Sequence, residues 1–159
     1  MSVDLSLPRI IIEELKRKAD EAGISIDEYL FDIIVGDSDP NIAIEKYLKG
    51  AQQLIEQAEE EIKKENLRQA SEKVWGACAL AVKAHALARK GARLESHRDL
   101  WVYKNEIARE IGDWVRIVFK LADSMHENFY ENLAMREDVE DVLKEVKKLV
   151  KSITRSIKE

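Results

Sequence analysis

Residues Ser71–Trp101 read SEKVWGACALAVKAHALARKGARLESHRDLW, and this stretch decides the fold. It begins as a helix rich in alanine and glycine, breaks at Gly91, and continues into a helix that starts with a His-Arg-Asp cluster. Small side chains along one helix let neighbouring helices approach closely. The stretch therefore predicts a close-packed helical bundle whose open end carries the chargeable side chains of His97, Arg98 and Asp99.

Composition and charge indicate one helix-rich domain. The chain has 159 residues, of which 36% are charged and only 6 are Gly and 2 are Pro, so breaks are few and helices are long. The net charge of −5 provides no general attraction for nucleic acid, so such a ligand would need a local basic patch. Cys78 is the single cysteine, which excludes an intrachain disulfide and a cysteine-cluster metal site.

The distribution of apolar residues gives no sign of a membrane segment or a secretory leader. No run of about 20 apolar residues occurs, and the first residues lack the apolar core of a signal peptide. We therefore expect a soluble cytoplasmic protein without membrane contact, and nothing in the sequence predicts a cofactor or a bound metal.

The first 36 residues predict a strand-helix-helix appendage. Val3, Leu5 and Leu7 alternate with polar residues, which is the pattern of a short strand. A helix follows and ends at Gly23, and Ser25 is the expected N-cap of the next. The breaker-rich loop Gly-Asp-Ser-Asp-Pro then separates this part from the rest of the chain.

Residues 39–159 predict an up-and-down helical bundle, so the fold class is all-α. Apolar residues recur every three or four positions throughout this part, as an amphipathic helix requires. We expect an antiparallel helix pair that turns near Glu65, a further helix capped by Ser96, a break at Gly112, and a last amphipathic helix. We predict two parts, residues 1–36 and residues 39–159.

The segment Val3–Ile34, VDLSLPRIIIEELKRKADEAGISIDEYLFDII, resembles a ribbon-helix-helix segment. In that family two chains pair their strands, so the resemblance implies a homodimer or higher homo-oligomer joined through Val3, Leu5 and Leu7. The family reads DNA with outward strand side chains. Here those positions carry Asp4 and two serines, and a carboxylate repels phosphate, so dimerisation is favoured over DNA binding.

Three motifs of the bundle resemble the archaeal PaREP family, whose bundle is similar to the HEPN superfamily. They are QASEKVWGACALAVKAHA at Gln69–Ala86, SHRDLW at Ser96–Trp101 and HENFYE at His126–Glu131. The resemblance implies a HEPN-like helical bundle. HEPN domains include RNA-cleaving enzymes, partners of nucleotidyltransferases and scaffolds without activity.

The spacing of the RNA-cleaving HEPN branch is absent. That branch uses an Arg followed after four to six residues by a His, which together place a cation and a general acid/base beside the scissile phosphate. In this chain Arg93 and His97 are separated by three residues, and Arg116 and His126 by nine. We therefore predict no catalytic residues, and a protein without enzymatic activity is favoured.

The His-Arg-Asp cluster predicts an anion site. Free backbone N–H groups and the helix dipole attract an anion to a first helical turn, and the Arg98 guanidinium suits phosphate or carboxylate. His126 is expected to face His97 across the mouth of the bundle. The predicted ligand-binding residues are Lys73, His97, Arg98, Asp99, His126, Asn128 and Tyr130.

A purely local role for the same cluster remains open at this point. Asp99 also suits the start of a helix, Arg98 can pair with a nearby glutamate, and His97 can bond a backbone carbonyl. A metal held by His97, His126 and Asp99 is disfavoured, since no helix presents two histidines at ligand spacing.

Three functions follow from these patterns. The leading hypothesis is a non-enzymatic binding or assembly protein whose polar end binds a nucleotide or RNA. The second is a HEPN-like ribonuclease or a nucleotidyltransferase partner. The third is a DNA-binding regulator that works through the N-terminal ribbon.

Overall fold

A computed structural model describes residues 5–159, which form seven helices and contain no strand. The helices are α1 (Arg9–Ala22), α2 (Ile26–Val35), α3 (Pro40–Lys63), α4 (Leu67–Lys90), α5 (His97–Ile111), α6 (Trp114–Glu131) and α7 (Arg136–Lys158). Helices α3 to α7 form the bundle, and α1 and α2 form a hairpin that packs against one side of it.

Helix α4 is the central helix of the bundle. It contacts α2, α3, α5, α6 and α7, and every residue from Ala70 to Leu87 is buried except Lys73. Because it is surrounded, α4 has no wide polar face of the kind that surface helices carry. Its alanines and glycine leave room for the neighbouring helices, as the quoted stretch predicts.

Two glycines lie where a side chain of a neighbouring helix closely approaches the helix backbone. The Phe31 ring of α2 lies over Gly50 of α3, where a Cβ would stand 2.5 Å from Cε1 and Cζ of that ring. Leu54 of α3 packs over Gly76 of α4, where a Cβ would lie 2.9 Å from its Cδ1. Glycine at these positions therefore sets how closely α2 and α4 pack against α3.

Carboxylates of α2 attach the N-terminal hairpin to α4. The Lys83 ammonium lies 2.7 Å from Asp32 Oδ2 and 3.8 Å from Glu28 Oε1, and the Lys83 side chain is only 1% exposed. Lys73 pairs with Asp27 at 3.0 Å. Asp32 also accepts a 2.7 Å hydrogen bond from the Tyr47 hydroxyl of α3. The hairpin is thus held by charge as well as by packing.

The helical bundle expected from the sequence is confirmed, and several predicted helix ends are correct. Gly23 and Gly91 end α1 and α4 in the left-handed conformation, and Ser25 and Ser96 cap α2 and α5 with capping boxes. Asn66 caps α4 after the predicted turn. No helix among residues 5–159 is both long and apolar enough to cross a bilayer.

The predicted N-terminal strand is wrong at Leu5 and Leu7. Leu5 and Leu7 lie in irregular chain that leads to α1, and their side chains are 79% and 40% exposed. A strand needs hydrogen bonds to a neighbouring strand, and residues 5–159 contain none. Val3 lies outside the described residues. The HEPN-like topology and the two-part division stay predictions.

Replacing Gly50 with Ala tests the close packing of α2 on α3. We expect Gly50→Ala to lower the free energy of unfolding by about 1 kcal/mol, because overpacking costs about 1–3 kcal/mol and the better helix propensity of alanine returns about 1 kcal/mol. Denaturant unfolding measures the change. In a Phe31→Ala background the ring is gone, so the same substitution should be neutral or stabilising; an equal loss in both backgrounds would contradict the packing argument.

Candidate functional site

Two imidazoles stack at the interface of α4, α5 and α6. The rings of His97, the first residue of α5, and His126 of α6 lie 5.7 Å apart between centroids with an interplanar angle of 29°. The indole of Trp75, on α4, lies 5.2 Å from the His97 ring and 5.8 Å from the His126 ring. The structure therefore brings together the two histidines that the sequence predicts to face each other.

A carboxylate accompanies each imidazole. His126 Nδ1 lies 2.8 Å from Glu72 Oε1 of α4, and His97 Nε2 lies 2.9 Å from Asp123 Oδ1 of α6. The four side chains are partly shielded from solvent: Glu72 is 9% exposed, Asp123 and His126 are 14% exposed, and His97 is 27% exposed. Electrostatic interactions at this depth are stronger than those on the open surface.

Burial and charge act in opposite directions on His126. Burial lowers the pKa of this imidazole, but the hydrogen bond to Glu72 and the attraction of Glu72, Glu28 and Asp123 outweigh it, so the pKa is raised. Burial raises the pKa of the Glu72 carboxyl, against the lowering effect of His126. His126 therefore keeps its proton to a higher pH than an exposed histidine.

His97 has two competing partners on one nitrogen. The Trp101 indole N–H donates to His97 Nε2 at 3.0 Å, and Asp123 Oδ1 approaches the same nitrogen. A ring nitrogen cannot accept from the indole and donate to the carboxylate at once, so the two contacts require the ring proton in different positions. His97 Nδ1 is buried without a hydrogen-bond partner among residues 5–159.

A buried glutamate lies on the other side of Trp75. Glu28 is 0% exposed, and its Oε2 accepts hydrogen bonds from Trp75 Nε1 at 2.9 Å and from the Ser25 backbone N–H at 2.9 Å. Its Oε1 has no hydrogen-bond partner within the described part of the chain. Trp75 thus connects the carboxylate of α2 to the imidazole pair.

A cavity of about 420 Å³ opens beside the imidazole pair, between the N-terminal hairpin, α4 and the end of α6. Glu72, the partner of His126, lies in its wall. The charged and aromatic residues of the lining are Lys16, Asp20, Asp27, Arg68, Glu72, Lys73, Phe129 and Tyr130. A volume of this size lies in the range of small-molecule pockets.

Three of the sequence-predicted site residues meet at this cavity. Lys73 and Tyr130 line it, and His126 reaches it through Glu72. Lys73 is paired with Asp27, and the Tyr130 hydroxyl donates to Asp20 at 3.3 Å. Tyr130 is 56% exposed, and its ring meets that of His126 edge-on at 5.7 Å.

The other predicted residues lie elsewhere or bond locally. Arg98 is exposed and forms no ion pair within residues 5–159, and Asp99 closes the capping box of α5 with Ser96. Asn128 is buried, donates to Ser71 Oγ at 2.8 Å and accepts from two backbone N–H groups after α6. His97 contacts Asp123 in place of the backbone carbonyl considered from the sequence.

Sequence reasoning missed the carboxylates and the indole that surround the imidazoles. Glu72 and Trp75 share one helix face at a spacing of three residues within the first quoted motif, and Asp123 precedes His126 by three. Those spacings were the available signal. For Glu28 the only signal was its capping-box position. That position predicts the hydrogen bond from the Ser25 backbone N–H but not the one from the Trp75 indole.

No described group of three or more His, Cys, Asp or Glu side chains is arranged to hold a metal ion. The imidazole pair offers proton transfer and hydrogen bonding, while the adjoining cavity offers ammonium, guanidinium, carboxylate and aromatic groups.

Replacing Glu72 with Gln tests the electrostatic link to His126. Without the carboxylate charge, burial dominates, so the pKa of His126 should fall below its ordinary value of about 6.5. In the wild-type protein the pKa of His126 is raised in the folded state. Its contribution to the free energy of unfolding is therefore fully present below the pKa of the unfolded state and is lost as the pH rises through the pKa of the folded state. NMR titration of the imidazole protons measures the shift.

Glu110→Gln provides the matched control, since Glu110 contacts His85, a histidine on the other side of the bundle. The control should leave the His126 titration unchanged. A His126 pKa that stays raised in the Glu72→Gln protein would contradict the proposed cause.

Comparison with known proteins places the bundle in a family. No curated protein and no solved structure matches the chain. A family model described as the archaeal PaREP1/PaREP8 family matches residues 46–150, which run from α3 through most of α7 and include Glu72, His97 and His126. Because the match covers more than half of the chain, the protein belongs to the archaeal PaREP1/PaREP8 family.

Proposed function

We propose that this protein binds a nucleotide-sized organic anion in the cavity between the N-terminal hairpin and the bundle, without catalysing its conversion. The observation that carries the proposal is the lining of the cavity, where cationic side chains and aromatic rings converge in about 420 Å³. A few placed polar groups in a pocket of this size are typical of ligand sites.

The charges of the cavity support an anionic ligand. Lys73 is neutralised by Asp27, but Lys16 and Arg68 form no ion pair with the carboxylates of residues 5–159. Arg68 uses its Nε to donate to the Phe129 carbonyl at 2.8 Å, which leaves its other guanidinium N–H groups for a ligand. The other two carboxylates of the lining have partners as well, Asp20 the Tyr130 hydroxyl and Glu72 the His126 ring. Lys16 and Arg68 are therefore the groups that would bind a phosphate or carboxylate.

The aromatic residues support a planar group in the same ligand. The Arg68 guanidinium lies 5.6 Å from the Phe129 ring centroid, and the Phe129 and Tyr130 rings meet at 5.1 Å. Tyr130 is largely exposed, so one face is accessible for stacking against a base. A nucleoside phosphate combines the planar and anionic features that the lining would recognise.

The alternative of a HEPN-like ribonuclease rests on the stacked imidazoles of His97 and His126. Two imidazoles with attached carboxylates have the chemistry of a general acid and a general base. The binding role is favoured because His97 does not line the cavity and the Arg-His spacing of the cleaving branch is absent.

A second role, self-assembly, is proposed for the N-terminal hairpin. The hairpin and the residues before it expose seven large apolar side chains, namely Leu5, Leu7, Ile10, Ile11, Ile12, Ile33 and Ile34. Exposed apolar side chains in such concentration favour a protein interface. Helix α1 carries four basic and four acidic residues, so two copies would not repel each other there. A second copy of the chain is the proposed partner.

Binding of AMP tests the cavity. We expect isothermal titration calorimetry to detect AMP binding that Lys16→Gln weakens about tenfold, because a hydrogen bond to a charged group contributes about 1.5–3 kcal/mol. Lys18→Gln is the matched control, since Lys18 is exposed on the same helix and does not line the cavity.

Equal weakening by both lysine variants, or no detectable binding of AMP, would overturn the cavity proposal. Incubation with labelled RNA tests the enzymatic alternative in parallel. Cleavage that disappears in a His97→Ala protein would favour the ribonuclease over the binding role.

Light scattering tests the assembly role. The wild-type chain should be a dimer or larger, and Ile10→Ser with Ile11→Ser should shift it to the monomer, because two exposed apolar side chains of α1 become polar. Ile42→Ser with Val102→Ser is the matched control, since both side chains are exposed outside the hairpin. A monomeric wild-type protein would rule out this role.

A further inference from the structure

The interface between α5 and α6 presents three cations, of which one pairs with a carboxylate, while its other carboxylate, Asp123, faces His97. We call Lys104, Arg116 and Lys120, together with Trp101, the α5–α6 seam. Lys104 and Lys120 form no ion pair within residues 5–159, and Arg116 pairs only with Asp113 at the outer end of the seam.

Lys104 is the most constrained of the three cations. Its residue is only 6% exposed, and its ammonium donates to the Trp101 carbonyl at 2.7 Å. The ammonium also lies 4.4 Å from the Trp101 ring centroid and 5.5 Å from that of Phe119. Burial lowers the pKa of Lys104, and the neighbouring charges of Lys120 and Arg116 lower it further. A bound anion would relieve this repulsion.

The two cations of α6 stand in register with Lys104. Arg116 and Lys120 are four residues apart, so they lie on the same face of α6, and Arg116 Nε donates to Asn105 Oδ1 of α5 at 2.9 Å. Lys120 is exposed, while the Arg116 side chain is 35% exposed. Both side chains can therefore reach a ligand in solvent.

The seam leads directly to the imidazole pair and the cavity. Lys104 packs on Trp101, Trp101 donates to His97, and His97 stacks on His126, whose partner Glu72 lines the cavity. Along α6, the path from Arg116 to His126 covers about 15 Å at the helical rise of about 1.5 Å per residue. This length exceeds what a single nucleotide can contact.

We infer that the ligand is a single-stranded oligonucleotide whose phosphodiester backbone binds along the α5–α6 seam while one terminal nucleotide occupies the cavity. The inference rests on the proposed function for the nature of the ligand and extends it from a monomer to a polymer. Repeated phosphates match a row of cations, and the half-buried Trp101 ring provides an apolar surface beside them. The backbone is common to RNA and DNA, so the experiment includes both.

Fluorescence anisotropy with labelled oligouridylate and oligodeoxythymidylate of about eight nucleotides tests the inference. We expect these probes to bind more tightly than AMP. Arg116→Gln with Lys120→Gln should weaken their binding about tenfold at low salt and reduce the slope of log Kd against log salt by about 1.4, at about 0.7 per phosphate contact. AMP binding should not change.

Lys63→Gln with Lys64→Gln is the matched control, since it removes the same charge from exposed positions at the end of α3. Thermal unfolding of the seam variant checks that it remains folded. Equal binding of the two probes supports recognition of the backbone alone, and preference for oligouridylate supports it with an added contact to the 2′-hydroxyl.

Two results would overturn the seam. One is an oligonucleotide that binds no more tightly than AMP, and the other is an equal effect of the seam and control variants. If AMP binding nevertheless depends on Lys16, either result contradicts the seam alone and the proposed function is still supported. Conversely, oligonucleotide binding that depends on the seam, without any AMP binding, would contradict the proposal that the cavity binds a nucleotide and would support binding along the seam.

Discussion

The constraint on which the structure depends is the complete enclosure of α4. A helix that contacts five others must either be apolar all round or provide each of its polar groups with a partner, because an unpaired charge in the interior is strongly destabilising. Helix α4 is enclosed, yet it carries Glu72, Lys83 and His85 at buried positions. Its neighbours are therefore held in place by these three side chains as well as by close contact with alanine and glycine.

Each of the three side chains selects a different neighbour. Lys83 is paired with Asp32 and approaches Glu28, which holds the N-terminal hairpin on the bundle. Removing one partner of such a buried pair costs about 3–5 kcal/mol, whereas an exposed pair contributes about 1 kcal/mol or less. Glu72 bonds His126 of α6.

His85 completes the set on the other side of the bundle. Its ring bonds Tyr103 of α5 at 2.8 Å through Nδ1 and Glu110 at 2.9 Å through Nε2. Glu110 is held in turn by Arg89, which also reaches the Ser156 carbonyl of α7. Burial lowers the pKa of His85, whereas the pKa of His126 is raised. His126 therefore holds its proton to a higher pH than His85 does. His85 is the buried neutral partner in its hydrogen-bond network, whereas the candidate site lies at His126.

The sequence by itself determined the helices, several of their caps and the close packing of helices around α4. Glycine in the left-handed conformation, serine capping boxes and apolar spacing act within a few residues, so they can be read without knowledge of the fold. The small residues of α4 likewise indicated close packing, and the family motifs identified the bundle. Only the tertiary structure decided which polar groups meet: Lys83 and Asp32 are 51 residues apart, and Glu72 and His126 are 54 apart. The strand prediction was wrong for the same reason, because a strand needs a partner strand, which a local alternation of apolar and polar residues does not provide. The choice of partners that are distant in sequence is a property of the packed chain.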